Sequence, residues 1–173
     1  LCLVGSEMCI RDRDDDTCKL LTNTVLTFSD LISNRMTDYK FDLDKFTNIS
    51  GKTGIYVQYA FVRANKLLEN SSDSIKDVSL DFSLLDEVDL NLIKCLIKFE
   101  YIFKQALHSN EPHHLADYLY ELSNLFNSMY QSTNILENKN INVKFNKLKI
   151  TTFFVTFSKL LMESLGIKPA EKM

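Results

Sequence analysis

The segment HHLADYLYELSNLFNSMY, residues 113–130, constrains the fold more than any other part of the sequence. At the 100° rotation per residue of an α-helix, its apolar side chains share one face and its polar side chains share the opposite face. The apolar face consists of Leu115, Tyr118, Leu119, Leu122, Leu125, Phe126 and Met129, and the polar face of Asp117, Glu121, Asn124 and Ser128. This pattern predicts a long amphipathic helix that packs against other helices.

The segment IYVQYAFVRANKLLEN, residues 55–70, has the same periodicity. Its apolar side chains fall on one arc, which predicts a second helix that faces the core. The arc consists of Tyr56, Val57, Ala60, Phe61, Ala64, Leu67 and Leu68. Tyr59 and Arg63 lie at the border of this arc, four positions apart, so their side chains are neighbours beside Tyr56.

Three further segments are compatible with helices. The apolar pattern of residues 86–107 predicts a helix with a bend near Phe99, and residues 148–165 predict a last helix that Gly166 ends. Residues 24–33 are also compatible with a helix. Only four glycines and two prolines occur in 173 residues, which leaves few positions that break helices. The expected fold class is therefore all-α, a helical bundle.

Two segments without periodicity predict connections between these helices. Residues 71–81 and residues 132–147 are polar and lack an apolar repeat, so we expect surface loops there. The helix that includes residues 113–130 has a start signal, because Ser109 or Asn110 can cap it and Pro112 suits its first turn.

Charge and cysteine spacing limit the function classes. The formal net charge is -3, so a nucleic acid would have to be bound by a local patch of basic and aromatic side chains. The cysteines lack CxxC or CxxH spacing, and His113 and His114 lack a further ligand cluster nearby in sequence, so we expect no metal site. No apolar stretch reaches the roughly 20 residues that cross a bilayer. We expect a soluble protein.

Three stretches of the chain resemble the C-terminal portion of arginyl-tRNA synthetases. They are NRMTDYKFDLDKFTNISGKTGIYVQYAFVRAN (residues 34–65), EPHHLADYLYELSNLFNSMY (residues 111–130) and LLMESLGIKPAEKM (residues 160–173). Their order and spacing match the family as well as their sequences do. The chain departs from the usual pattern at His114 and Lys172, where the family commonly has arginine.

The resemblance implies a helical DALR-type anticodon-binding domain over residues 51–173, preceded over residues 14–50 by the tail of a catalytic domain and a connector. Residues 1–13 match neither the composition nor the periodicity of the rest, and we expect an artefactual or unrelated lead-in there. The family joins arginine to its tRNA with ATP. The 173 residues contain no HIGH-like or KMSKS-like motif, so we expect this chain to bind tRNA without catalysing the reaction and without a cofactor of its own.

The implied partners are the anticodon stem-loop of arginine tRNA and a catalytic domain in the same polypeptide. We expect a cytoplasmic monomer, with an organelle as the alternative location. The side of the second helix that carries Ile55 and Val62 is expected to be exposed and to meet the catalytic domain. A helical protein-interaction bundle without an RNA role is the alternative function.

Anticodon loops expose unstacked bases, which proteins contact with aromatic rings, guanidinium planes and amide groups. The candidate tRNA-binding residues are Tyr56, Tyr59, Arg63, Tyr120, Asn127 and Met173. For each of them a purely structural interpretation stays open. Tyr56 can complete the core while Arg63 is a solvated edge charge, and Tyr120 and Asn127 can form a seam between helices. Met173 can belong to a frayed terminus, and Tyr130 is expected in the core.

Overall fold

Helices make up the regular structure throughout residues 15–38, 40–71 and 79–173, which are the residues that the computed structural model describes. The seven α-helices there are α1 (Asp15–Leu31), α2 (Leu43–Phe46), α3 (Gly54–Glu69), α4 (Glu87–Ile97), α5 (Phe99–Ser109), α6 (His113–Ser132) and α7 (Ile141–Ser164), with a 3-10 turn over Phe82–Leu84. These ranges contain no strand, so the all-α prediction is confirmed. The predicted lead-in over residues 1–13 and residues 72–78 of the predicted loop lie outside the described residues.

Helices α3, α4, α6 and α7 surround one apolar core. The predicted apolar face of α6 points into it, with Leu119, Leu122, Phe126 and Met129 fully buried. Phe126 of α6 stacks on Phe154 of α7 with ring centroids 4.2 Å apart. Helix α5 packs along α6, and α1 covers the outer side of α3. None of the helices in the described part of the chain has the length and apolar character needed to span a membrane.

Helix α1 reaches α3 at a glycine. A Cβ atom on Gly54 would lie 2.8 Å from the carbonyl oxygen of Thr24, so only glycine allows this approach without a shift. The same contact buries Ile55 completely against Leu21, Val25 and Phe46. The expectation that Ile55 is exposed was therefore wrong, because α1 and α2 already cover that side of α3.

Two boundary predictions were also wrong. Asn110 ends α5 in the left-handed conformation, with φ of 54°, instead of capping α6, and Pro112 stands at the start of α6 without a side-chain cap. Residues 141–147, predicted as loop, form the first two turns of α7, which Asn140 caps. The bend near Phe99 is confirmed, because α4 ends at Ile97 and α5 begins at Phe99.

The first turns of α7 hold the segment before α4 in place. Asn146 exchanges two hydrogen bonds with the backbone of Asp81, of 3.0 and 2.8 Å. Lys147, which is 1% exposed, lies 2.7 Å from Asp89 and 2.9 Å from Asp86. Asp86 and Asp89 also cap the start of α4 reciprocally. This polar cluster ties α4 to α7 at one end of the bundle.

Candidate nucleic-acid interface

The crossing of α3 and α6 brings one arginine between two tyrosines. Thr53 caps α3 by accepting a hydrogen bond from the backbone N–H of Tyr56, which fixes the first turn of the helix. One and two turns further on, Tyr59 and Arg63 stack, with the Arg63 guanidinium carbon 4.3 Å from the centroid of the Tyr59 ring. The same carbon lies 4.8 Å from the centroid of the Tyr130 ring on α6. The guanidinium is therefore held by aromatic faces from both helices.

Hydrogen bonds fix the orientation of this guanidinium. Nη1 of Arg63 donates to Oδ1 of Asn127 over 2.9 Å, and Nη2 donates to the hydroxyl oxygen of Tyr59. Asn127 is 6% exposed, so it supports Arg63 from inside the bundle. Arg63 and Tyr59 are half-buried, and Tyr130 is exposed. The expectation that Tyr130 belongs to the core was wrong, because its ring lies on the outer side of α6, over Arg63.

A second aromatic pair lies nearer the start of α3. The rings of Tyr56 and Tyr120 have centroids 5.5 Å apart and are tilted by 52°. Nζ of Lys52 lies 5.9 Å from the centroid of the Tyr120 ring and 2.5 Å from Oδ1 of Asp117. Both tyrosines are half-buried, so each leaves part of its ring at the surface. This pair adds an aromatic patch beside the Arg63 cluster, and Asp117 balances the charge of Lys52 there.

The last residue of the chain reaches the Arg63 cluster. Met173 lines a cavity of about 360 Å³ together with Tyr59, Arg63, Lys66 and Tyr130. Its side chain also packs against the small apolar cluster between α1 and α3. Met173 is half-buried, and the preceding Ala170 is 2% exposed, so this part of the tail is packed on the bundle.

The six residues predicted from sequence thus form two neighbouring groups. The structure brings Tyr59, Arg63 and Asn127 into direct contact and places Met173 on the same cavity, while Tyr56 and Tyr120 form the adjacent pair. Whether they contact RNA stays a prediction. Sequence reasoning missed Tyr130 as a member of the Arg63 cluster, although its position three residues after Asn127 places it on the same side of a helix.

One group of side chains has ligand types suited to a metal. Glu111, His113 and His114 offer ligand atoms that lie within 4.8 Å of one another. Glu111 already accepts hydrogen bonds from His114 over 3.2 Å and from Asn34 over 3.4 Å. These groups also lie at the positive end of the α6 dipole, which disfavours a cation. We therefore assign them to the junction between α5, α6 and the turn after α1.

Comparison with known proteins shows the family of this chain. Residues 57–173 match the family described as the DALR anticodon binding domain. An arginine–tRNA ligase of Histophilus somni is 37% identical over 147 residues, which is 84% of this chain and 26% of that protein. The corresponding enzyme of Buchnera aphidicola is 31% identical over 87% of this chain and 26% of that protein. The chain thus spans about a quarter of the length of these curated relatives.

Solved structures agree with this assignment. An arginyl-tRNA synthetase from Plasmodium falciparum superposes with a TM-score of 0.83 and 31% identity, over 92% of this chain and 28% of that chain. The arginyl-tRNA synthetase of Thermus thermophilus has a TM-score of 0.87 at 23% identity, over 96% of this chain and 29% of that chain, which shows a shared fold. The chain belongs to the DALR anticodon-binding domain family, and its relatives are arginyl-tRNA synthetases.

Proposed function

We propose that this bundle binds the anticodon stem-loop of arginine tRNA, as the RNA-binding part of an arginine–tRNA ligase. The observation that carries the proposal is the Arg63 guanidinium, held between Tyr59 and Tyr130 at the edge of an open cavity. Splayed anticodon bases need a flat apolar or cationic surface and hydrogen-bonding groups at their edges. The Arg63 cluster provides both.

The guanidinium of Arg63 is already oriented, and it keeps N–H donors for a base. Arginine has five N–H donors, and the bonds to Asn127 and Tyr59 engage two of them. The exposed ring of Tyr130 and the half-buried ring of Tyr59 supply stacking surfaces. Stacking of one base on an aromatic side chain contributes on the order of 1–3 kcal/mol. Because Arg63 is already oriented, little of that energy is lost in ordering its side chain.

Local charge supports the same proposal. The whole chain carries a formal charge of -3, so its overall field does not attract phosphates. Lys66 lines the cavity beside Arg63, so two cations lie together at this site. A few local cations of this kind give a binding constant that falls with salt by about one counterion for each phosphate neutralised.

Binding of the full chain to arginine tRNA transcripts, measured by fluorescence anisotropy over a range of salt concentrations, tests the proposal. Replacement of Tyr59 or Arg63 by Ala is expected to weaken binding by about tenfold or more, since each removes a base contact. The matched controls are Tyr101→Ala, an exposed tyrosine on α5, and Arg35→Ala, an exposed arginine after α1. Equal losses in the Tyr59 and Arg63 variants and in the controls, or binding that does not change with salt, would contradict the proposal.

The wider assignment rests on the relatives. We infer that the chain works in a cytoplasmic, monomeric enzyme whose catalytic domain, in the same polypeptide, uses ATP to activate arginine. The support is that the curated relatives named as arginine–tRNA ligases are about four times as long as the matched region. Sequencing of the gene upstream of the codon for Asp15 tests this inference. A Rossmann-type nucleotide-binding domain is expected there, and a stop codon in its place would oppose the inference.

Exposed apolar side chains on α4 and α5 favour the alternative, a bundle that binds another protein. Ile97, Tyr101 and Leu107 are 75%, 69% and 63% exposed. This alternative predicts that Tyr101→Ala abolishes a protein contact while Tyr59→Ala and Arg63→Ala leave tRNA affinity unchanged. Loss of tRNA affinity in Tyr59→Ala and Arg63→Ala alone favours the RNA-binding function.

A further inference from the structure

The tail after α7 is attached to the bundle through one buried side chain of α3. Gln58 is fully buried, and its amide makes three hydrogen bonds. Nε2 donates to the carbonyl oxygen of Lys168 over 2.8 Å and to Oγ1 of Thr24 over 3.0 Å, and Oε1 accepts from the backbone N–H of Ala170 over 2.9 Å. The amide therefore joins α1, α3 and the tail at a single point.

The chain around this point leaves the tail little freedom. Gly166 has a φ of 73°, and the backbone N–H of Ile167 donates to the carbonyl oxygen of Met162 over 2.8 Å, which turns the chain sharply out of α7. Ile167 is 3% exposed. From Gly166 to Ala170 the backbone is fixed first by the end of α7 and then by Gln58. Three residues beyond Ala170, Met173 lies on the cavity that Arg63 and Tyr130 also line.

We propose that Gln58 is a positioning residue for RNA binding: it holds the tail so that Met173 forms one wall of the cavity at Arg63. This inference rests on the proposed function and adds a cause for the geometry of the site. Without the Gln58 amide, the backbone groups of Lys168 and Ala170 would have to be hydrated instead, which releases the tail from the bundle. Gln58 lies one residue from Tyr59, but its hydrogen bonds go to Thr24 and to the tail whereas Tyr59 contacts Arg63, so its effect on RNA acts through the tail.

The anchoring step is tested without RNA. In the full chain, the ε-methyl group of Met173 is expected to have a ring-shifted NMR signal, because Tyr59 and Tyr130 line the same cavity. Met173→Ala assigns the signal. In Gln58→Ala the signal is expected to move to the position of a free methionine while the helical circular dichroism is kept. An unchanged signal in Gln58→Ala would overturn the proposal.

The second step compares the RNA affinities of Gln58→Ala, of a chain that ends at Lys168, and of the double variant. Each single change is expected to weaken binding by about tenfold, on the order of one lost base contact, and the double variant to be no weaker. Non-additivity is the readout that a general loss of stability would not produce. The control for mild destabilisation is Ile150→Val, which removes a methyl group from the core away from the tail. This variant is expected to keep wild-type affinity.

The outcomes separate the two proposals. If Arg63→Ala weakens binding while Gln58→Ala and the shortened chain do not, the positioning role is wrong and the proposed function stands. If additive losses occur, Gln58 acts on the fold and not through the tail, which also overturns the inference. If the wild-type chain does not bind arginine tRNA, both proposals fail together. If Gln58→Ala fails to fold, Gln58→Met takes its place in both tests, since it keeps the length of the side chain and removes the amide that bonds to Lys168 and Ala170.

Discussion

Nζ of Lys147 lies 2.7 Å from Oδ1 of Asp89, and both side chains are almost completely buried. The lysine also bonds to Asp86, which lies at the surface end of the same cluster. A buried ion pair of this kind stabilises the fold no more than an apolar pair of the same volume does. Removal of one partner, however, leaves the other charge unpaired inside the protein. The cluster is therefore a sensitive test of the packing between α4 and α7.

Replacement of Lys147 by Met is expected to lower the free energy of unfolding by about 3–5 kcal/mol, because Asp89 is left buried without its partner. Urea denaturation followed by circular dichroism measures the change. Lys159→Met, an exposed position on the same helix, is the control and should change stability by less than about 0.5 kcal/mol. Recovery of most of the loss in the double variant Lys147→Met, Asp89→Leu is also expected; no recovery would contradict this account.

The same cluster predicts a pH dependence. Partial desolvation opposes ionisation of Asp86, but hydrogen bonds from the Asp89 backbone and from Lys147 outweigh it and hold the pKa of Asp86 below its ordinary value. Burial raises the pKa of Asp89, since that carboxyl lies deeper. A group with a lowered pKa in the folded state stabilises the protein above its ordinary pKa, and this contribution is lost as the pH falls.

The comparison of wild type with Asp86→Asn isolates this contribution, because Asp89 is present in both proteins. The difference in unfolding free energy is expected to be largest at neutral pH and to shrink as the pH falls below about 4, the ordinary pKa of an aspartate. Urea denaturation at several pH values provides the measurement. If the difference in unfolding free energy between the two proteins grows on acidification, the predicted direction of the pH dependence is wrong.

The close approach of α1 to Gly54 predicts a steric effect. Gly54→Ala places a Cβ 2.8 Å from the carbonyl oxygen of Thr24, and the shift of α1 that relieves it is expected to cost about 1–3 kcal/mol. Helix propensity favours alanine, by less than the roughly 1 kcal/mol of a helix interior because Gly54 is the first residue of α3. The clash and the propensity therefore change the free energy of unfolding in opposite directions. Thermal denaturation distinguishes them. Gly51 has a φ of 91°, and an added Cβ there would meet no atom within 4 Å. Gly51→Ala therefore provides the comparison for backbone strain without a clash.

The thiol of Cys95 is expected to report opening of the core. Burial raises the pKa of Cys95 to about 12, and the side chain is 2% exposed between α4 and α6. The reactive thiolate is therefore scarce and inaccessible in the folded protein. Alkylation by iodoacetamide at neutral pH, followed by mass spectrometry of the peptide that contains Cys95, should be slow and accelerate across the urea transition. Native alkylation as fast as in urea would contradict the structure at this position.

The geometry around Arg63 predicts that a lysine cannot replace it. Arg63→Lys keeps the positive charge but loses the planar group that contacts Tyr59 and Tyr130 and bonds to Asn127. Affinity for arginine tRNA is expected to fall by about tenfold, with an unchanged salt slope because the number of cations is the same. Fluorescence anisotropy titrations measure both quantities. Little loss of affinity with the same slope would contradict this prediction and indicate a phosphate contact, since a lysine supplies the same charge to a phosphate. Arg35→Lys is the matched control.

Helices α3 and α6 could be predicted from sequence because a single apolar face faces the core in each. The start of α7 could not, since Asn146 and Lys147 have the composition of a solvated loop. Their partners, Asp81 and Asp89, lie about 60 positions earlier in the chain, and nothing local indicates those contacts. Polar residues with distant partners are therefore where periodicity fails in this protein.

In the candidate site, too, local contacts could be predicted from sequence and contacts between distant positions could not. The neighbourhood of Tyr59 and Arg63 follows from helical spacing alone. The approach of Tyr130 depends on how α3 and α6 cross, and the bonds from Gln58 to Lys168 and Ala170 join positions more than 100 residues apart. Sequence also placed Asn127 among the residues available to a base edge, whereas its amide oxygen is engaged by Arg63 inside the bundle.

The hydrogen bonds between Gln58 and the tail involve main-chain atoms of Lys168 and Ala170. The identity of an exposed residue such as Lys168 should therefore matter little, whereas the number of residues after Gly166 should matter greatly. One inserted residue between the attachment point and Met173 would carry the thioether past the cavity wall, and a peptide tag fused to the last residue would emerge at the mouth of that cavity. Exposed residues of this segment such as Lys168 are accordingly expected to tolerate substitution, whereas the buried Ile167 and Ala170 and the spacing to Met173 are expected to be retained.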